Sequence, residues 1–234
     1  MSAENPRLLI LETSCRVGQV AVAGGGAVRG ATRLEETRRL ARDLAPAVAD
    51  LLRAQGWSPR DLHGVVVGLG PGSYTGLRVG LASAKALAYA TGCALLGVES
   101  FAAVAVQAPA DGRPLDVLAD AQQDRVYVQP FAAPPASGPP VAIAPLAIRT
   151  VADWLAGRDP SARVSGPGVE AHAARLPQGL DLVEPDLRLP RPESLLRLAL
   201  PRYRTGERDD LWALEPIYLR PSAAEEQWRR LGRG

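Results

Sequence analysis

The residues best placed to do chemistry lie between Gly68 and Gly80, a stretch that reads GLGPGSYTGLRVG. Closely spaced Gly and Pro positions lead into Ser73 and Thr75 and then into residues of helical type. A glycine-rich loop at a helix N-terminus offers unobstructed backbone N–H groups where an anion is favoured. Gly70, Gly72, Ser73, Thr75 and Gly76 therefore make a candidate phosphate loop. The same residues suit a tight strand-to-helix turn that needs glycine for conformation alone. Local chemistry does not separate these readings. A Walker A loop would carry Lys after its second Gly, whereas Leu77 follows Gly76. The looser spacing Gly70-x-Gly72-x-x-x-Gly76, with Glu99 closing the next strand, keeps a dinucleotide-dependent oxidoreductase open. Against it, the loop follows a later strand rather than the first.

Other reactive groups are sparse. Ser14 and Cys15 sit in a turn after the first apolar run, with no evident base nearby. His63 and His172 are the only histidines and have no metal-ligand spacing. No GxSxG elbow is present. Glu12, Asp120 and Asp124 are carboxylates placed in hairpin turns, and each reads more readily as a turn residue than as an acid–base catalyst. No catalytic residue and no metal site is assigned.

The elements that must position these groups follow from hydrophobic pattern. Arg7–Glu12, Gln19–Ala23 and Ala27–Arg33 read as an antiparallel meander, with Gly24–Gly26 as a hairpin turn. From Thr37 to Ala54, Leu40, Leu44, Val48, Leu51 and Leu52 recur at helical spacing, with Pro46 as a kink or a first turn. A buried strand at 64–69, a helix at 76–91, a strand at 94–98 and a helix from Glu99 complete an α/β layer. Pro109–Pro114 reads as a linker, and residues 115–121 and 125–131 as a second strand–turn–strand. The proline-rich stretch 132–145 reads as an irregular loop, Thr150–Asp153 as a helix start, and Pro192 as the opening of a last helix. The expectation is two α/β halves, 1–108 and 115–234, joined at 109–114, without a residue-level repeat.

Gly76, Gly80, Ala84, Ala88 and Gly92 recur every four residues and so line one helical stripe. Such a stripe lets another backbone come close. That backbone is either the chain's own or a second subunit's, which makes Leu40, Leu44, Val48, Gly76, Gly80, Ala84 and Ala88 a candidate partner interface.

Bulk properties set limits. The 234 residues are 47% hydrophobic and 22% charged, the mix of an ordinary globular protein. A net charge of +2 does not by itself imply nucleic-acid binding. Every basic residue except Lys85 is arginine, scattered apart from Arg229, Arg230 and Arg233, in a chain equally rich in Ala, Gly and Pro. Biased coding accounts for that more simply than an RNA surface. Cys15 and Cys93 lack CxxC spacing and fit a reducing compartment. With no signal-peptide pattern and no membrane-length apolar run, a cytoplasmic protein is expected.

These pieces together resemble the TsaB (YeaZ) family. LLILETSCRVGQVAV is similar to its opening hairpin, VVVGLGPGSYTGLRVGLASAKALAYATGCALLGVESFAAVA to its signature, LADAQQDRVYVQPF to its second hairpin, and EPIYLRP to its C-terminal strand. The likeness is dense over 7–130 and thin from 132 to 214. It implies the two-lobed ASKHA fold shared with actin, heat-shock chaperones and sugar kinases, each lobe a mixed sheet with helices. It further implies a non-catalytic partner of TsaD, working with the ATPase TsaE. That complex transfers threonylcarbamoyl from threonylcarbamoyl-AMP to N6 of adenosine 37 in tRNAs reading codons that begin with A. On this reading the chain has no cofactor of its own, although ATP or ADP could sit at the interface of the complex. It forms a homodimer without its partners, and meets tRNA only through the complex. Glu12, Thr13 and Ser14 would join the glycine loop in any vestigial nucleotide site. The alternative is a stand-alone kinase- or ATPase-like enzyme, or a peptidase-like protein. Two residues depart from the family pattern: Glu12 replaces the usual Asp, and Thr37–Leu40 lacks the His that many relatives carry.

Overall fold

The computed structural model describes residues 5–34 and 40–219. The first residues of the expected first helix (37–39), the arginine cluster at 229–233, and Arg220 and Pro221 of EPIYLRP lie outside the described residues.

The chain opens with the meander β1 (Leu8–Glu12), β2 (Gly18–Gly24) and β3 (Ala27–Leu34). Gly25 and Gly26 carry the positive φ that the β2–β3 turn requires. β4 (Gly64–Gly68) and β5 (Ala94–Val98) then add in parallel, giving the order β3-β2-β1-β4-β5. β1, β2 and β4 are buried along their whole length, because both faces of the sheet are covered. The alternation of side chains decides which cover each residue meets. Leu9, Leu11, Val20, Val22, Val65 and Val67 pack under α1 (Leu40–Ala54) and α2 (Tyr74–Thr91). Leu8, Ile10, Ala21, Val66 and Leu96 face the opposite way, onto α3 (Ser100–Ala105) and α6 (Pro192–Arg204).

A second sheet holds β6 (Leu115–Asp120), β7 (Arg125–Phe131), β8 (Ala147–Thr150) and β9 (Arg163–Ser165) in the order β8-β7-β6-β9. This repeats β3-β2-β1-β4: a meander whose first strand takes a later strand in parallel. The Thr150 hydroxyl accepts from the Asp153 N–H at 3.0 Å and caps α4 (Val151–Gly157), as the sequence spacing predicts. α5 (Gly168–Ala171) follows β9. β8, β9 and α5 are too short to leave a periodic signal, and the sequence reading lacks them. The stretch 132–145 is not wholly irregular, since Ala132 and Ile143 make backbone bonds that extend the β7 ladder.

The structure also supplies the residue-level repeat that the sequence reading did not find. Gly70-Pro71-Gly72 follows β4 and Gly166-Pro167-Gly168 follows β9, with φ of 90° and 101° at the two leading glycines. A second correction concerns the assignment of 115–234 to the second half. Leu195, Leu196, Ala199 and Leu200 of α6 sit in the core of the first sheet. Residues 209–217 beyond α6 stay with that sheet. The Asp209 N–H donates to the Leu95 carbonyl, the Gly97 N–H to the Asp209 carboxylate, and Arg202 to the Gly97 carbonyl. These contacts close the outer edge of β5, which would otherwise present unpaired backbone. Residues 215–219 form no strand; the Ile217 N–H meets the Leu69 carbonyl instead. The first and second sheets share a core through Phe101 and Val104 on one side and Leu115, Val117, Tyr127 and Phe131 on the other. Among the described residues no helix is long and apolar enough to cross a membrane.

The placement of α6 is testable. Leu195 is fully buried against the first sheet. Leu195→Ala is expected to lower the unfolding free energy by about 2–5 kcal/mol in urea titration, the usual range for a buried Leu truncated to Ala. A helix belonging to a separate second lobe would leave the first sheet unaffected.

Candidate functional site

The glycine loop and the turn Glu12–Cys15 meet directly. β1 delivers the turn and β4 delivers the loop, and the parallel pairing of the two strands brings their ends side by side. The Ser73 N–H donates to the Ser14 carbonyl at 2.7 Å. A Cβ at Gly72 would stand 2.2 Å from the Ser14 carbonyl oxygen, and one at Gly76 would stand 2.0 Å from that of Thr13. At Gly80 it would lie 2.1 Å from the Thr13 hydroxyl, and at Gly68 2.2 Å from Glu12 Oε2. No other residue fits at these positions. The Ser73 hydroxyl turns back to accept from the Gly76 N–H at 3.2 Å and caps α2, while Thr75 is exposed. α2 therefore starts at Tyr74, two residues before the sequence reading places it.

Glu12 is the buried group at the centre. Its Oε1 accepts from the Ser14 N–H at 2.6 Å and its Oε2 from the Ser100 hydroxyl at 2.8 Å. Ser100 is tied in turn to Gly70, whose N–H donates to the hydroxyl and whose carbonyl accepts from the Ser100 N–H. Burial pushes the Glu12 carboxyl above its ordinary range, and the bonds from Ser14 and Ser100 oppose that only in part. Cys15 keeps some accessible surface, yet burial and then the neighbouring Glu12 push its thiol up to about 12. A thiol so far above neutrality is a poor nucleophile.

Packing within the chain accounts for the glycines of this loop. The sites where glycine lacks a side chain face the chain's own carbonyls and the Glu12 carboxyl. The N–H groups of Gly70, Ser73 and Gly76 are bonded within the chain. The conformational requirement for glycine is therefore met in full at Gly72 and Gly76.

The small-residue stripe resolves the same way, and this corrects the candidate interface. Gly76, Gly80, Ala84 and Ala88 are buried against the chain's own turn and sheet, and Leu44 and Val48 belong to the same core. Leu40 is half-buried on that core. What faces outward is a different set: Ala41, Ala45 and Ala49 on α1, and Ala82, Ala86 and Ala90 on α2. Both sets are spaced by four, so a sequence reader sees two alanine-rich stripes on α2 and cannot tell which is inside.

The remaining candidates are structural. His63 Nδ1 accepts from the Arg7 N–H at 2.9 Å. His172 Nε2 lies 3.2 Å from Asp120, and Asp124 pairs with Arg175. Among the described residues, no three His, Cys, Asp or Glu side chains converge as a metal site. The functional residue that sequence reasoning missed is Ser100, 88 positions from Glu12. Its only signal is its place two residues after β5, at the start of α3.

Two sheets of matching strand order, each with a Gly-Pro-Gly loop over the first strand of its meander, define a two-lobed protein of the ASKHA class. Comparison with known proteins narrows this. Residues 34–132 match the family model described as TsaD, tRNA N6-adenosine threonylcarbamoyltransferase. The chain is 31% identical to the tRNA threonylcarbamoyladenosine biosynthesis protein TsaB of Bacillus subtilis, over 78% of this chain and 80% of that one. It is 27% identical to TsaB of Escherichia coli, over 96% and 98%. YeaZ from Pseudomonas aeruginosa superposes with a TM-score of 0.74 at 27% identity, over 92% of this chain and all of that one. The chain belongs to the TsaB family.

Two predictions follow from the site. Gly76→Ala and Gly80→Ala should each lower the unfolding free energy by about 1–3 kcal/mol through overpacking, whereas exposed Thr75→Ala should change it by less than about 0.5 kcal/mol. Denaturant titration reads both. The second concerns pH. The native Glu12 carboxyl binds its proton more tightly than the unfolded one, whose ordinary value is 4.5. The stability that Glu12 contributes is therefore fully present below about pH 4.5 and is lost as pH rises through the native value. Glu12→Gln has no proton to lose. Its melting temperature relative to wild type should climb as pH is raised above 4.5.

Proposed function

We propose that this chain is the accessory, non-catalytic partner of TsaD in threonylcarbamoyl transfer to N6 of adenosine 37 in tRNAs reading codons that begin with A. Membership of the TsaB family carries this reading. The match of residues 34–132 to TsaD supports it further. A chain that shares a fold with its partner can pair through corresponding surfaces, as two copies of one chain do.

The docking surface is the outer face of α1 and α2. Ala41, Ala45, Ala49, Ala82, Ala86 and Ala90 are exposed there, with Arg42 and Arg53 beside the alanines of α1 and Arg78 and Tyr89 beside those of α2. Desolvating such a face on close contact is the ordinary driving force of an interface core. In the absence of TsaD the same face makes a two-fold homodimer. TsaE and tRNA join through the complex, and ATP or ADP is held by its interface rather than by the glycine loop.

Ala45→Arg with Ala86→Arg should weaken TsaD binding at least roughly tenfold, about 1.4 kcal/mol, and leave the melting temperature unchanged. Titration calorimetry with TsaD from the same source measures the first and a thermal melt of the chain at low concentration the second. Undiminished binding by the double variant would remove this face as the interface.

A further inference from the structure

We propose that the Glu12 carboxyl is a built-in ligand of the glycine loop, holding the place that a small oxyanion would otherwise take between Ser14, Ser100 and Gly68. The first support is its mode of binding. Both oxygens are held by donors alone, the Ser14 N–H at 2.6 Å and the Ser100 hydroxyl at 2.8 Å. Among the described residues no ion pair reaches it. A backbone N–H and a hydroxyl converging on a carboxyl is how a loop holds an anion from outside.

The second support is that the surroundings are shaped to the side chain. Gly68 leaves the space that Oε2 enters, since a Cβ there would come within 2.2 Å of it. Ser100 is fixed for its task by two bonds with Gly70, one in each direction. Glu12 is 1% exposed and so sealed from solvent.

The third is length. The side chain runs from the end of β1 across to the first residue of α3, linking segments 88 positions apart. An aspartate is shorter by one methylene, about 1.5 Å. From the same backbone it would reach the Ser14 N–H and leave the Ser100 hydroxyl open. The longer acid thus turns a loop that could receive an oxyanion into one already filled. Its consequence is that the entry of α2 is fixed by a covalently attached group and needs no nucleotide.

The test uses thermal melts of the full chain in sodium chloride, formate, acetate or phosphate at matched ionic strength. Wild type should respond to none of these anions beyond chloride. Glu12→Ala should melt several degrees lower and regain part of the loss saturably in formate or acetate, by mass action on the emptied site. Adding Ser100→Ala to Glu12→Ala should abolish the rescue. If Glu12→Ala does not fold, Glu12→Ser carries the same test, with formate raising its midpoint. Indifference of the folded variant to both carboxylates would overturn the proposal. So would a saturable wild-type melting rise in phosphate or in millimolar Mg-ATP.

Discussion

The contact between the carbonyls of Thr13 and Ser14 and the start of α2 is the constraint on which the rest of this structure depends. A helix can approach a backbone turn this closely only where its residues have no side chain, hence Gly72, Gly76 and Gly80. That approach tips the inner stripe of α2 onto the sheet and leaves Ala82, Ala86 and Ala90 as its outer face. The position of α1 follows, because Leu44, Val48 and Leu52 fill the core beside α2. Glu12 and Ser100 complete the lock from the other end of the loop by joining the turn to α3.

The second lobe shows the same device in reduced form. A Cβ at Gly166 would stand 2.2 Å from the Leu118 carbonyl, so its loop also lies across the first strand of its meander. Its β9 has three residues and α5 has four, against five and eighteen for β4 and α2. The first lobe therefore carries the long helices that a partner can use. α6 and the segment after it reinforce that lobe by covering its second face and the edge of β5.

Much of this was legible in the sequence, and the failures have physical causes. Continuous apolar runs such as Leu8–Leu11 and Val65–Val67 announce strands covered on both faces. The Gly-Pro-Gly loop and the period of four in α2 announce a close approach of backbones. They do not say whose backbone approaches, and that is why a stripe buried within the chain also reads as a partner surface. The glycine loop was equally open between phosphate and turn, because glycine serves both ends. β8 and β9 carry too few residues for a period to show. The pairing of Glu12 with Ser100 and the return of α6 to the first sheet rest on long-range packing, which no local pattern encodes.

The central claim is that this chain works through the outer faces of α1 and α2 and not through a nucleotide at its glycine loop. Hydrogen–deuterium exchange of the chain, alone, with Mg-ATP and with TsaD, tests it most directly. The account predicts new protection across residues 40–54 and 74–91 on adding TsaD, and no change at residues 68–76 on adding Mg-ATP. Protection of 68–76 by Mg-ATP, with both helices indifferent to TsaD, would contradict it.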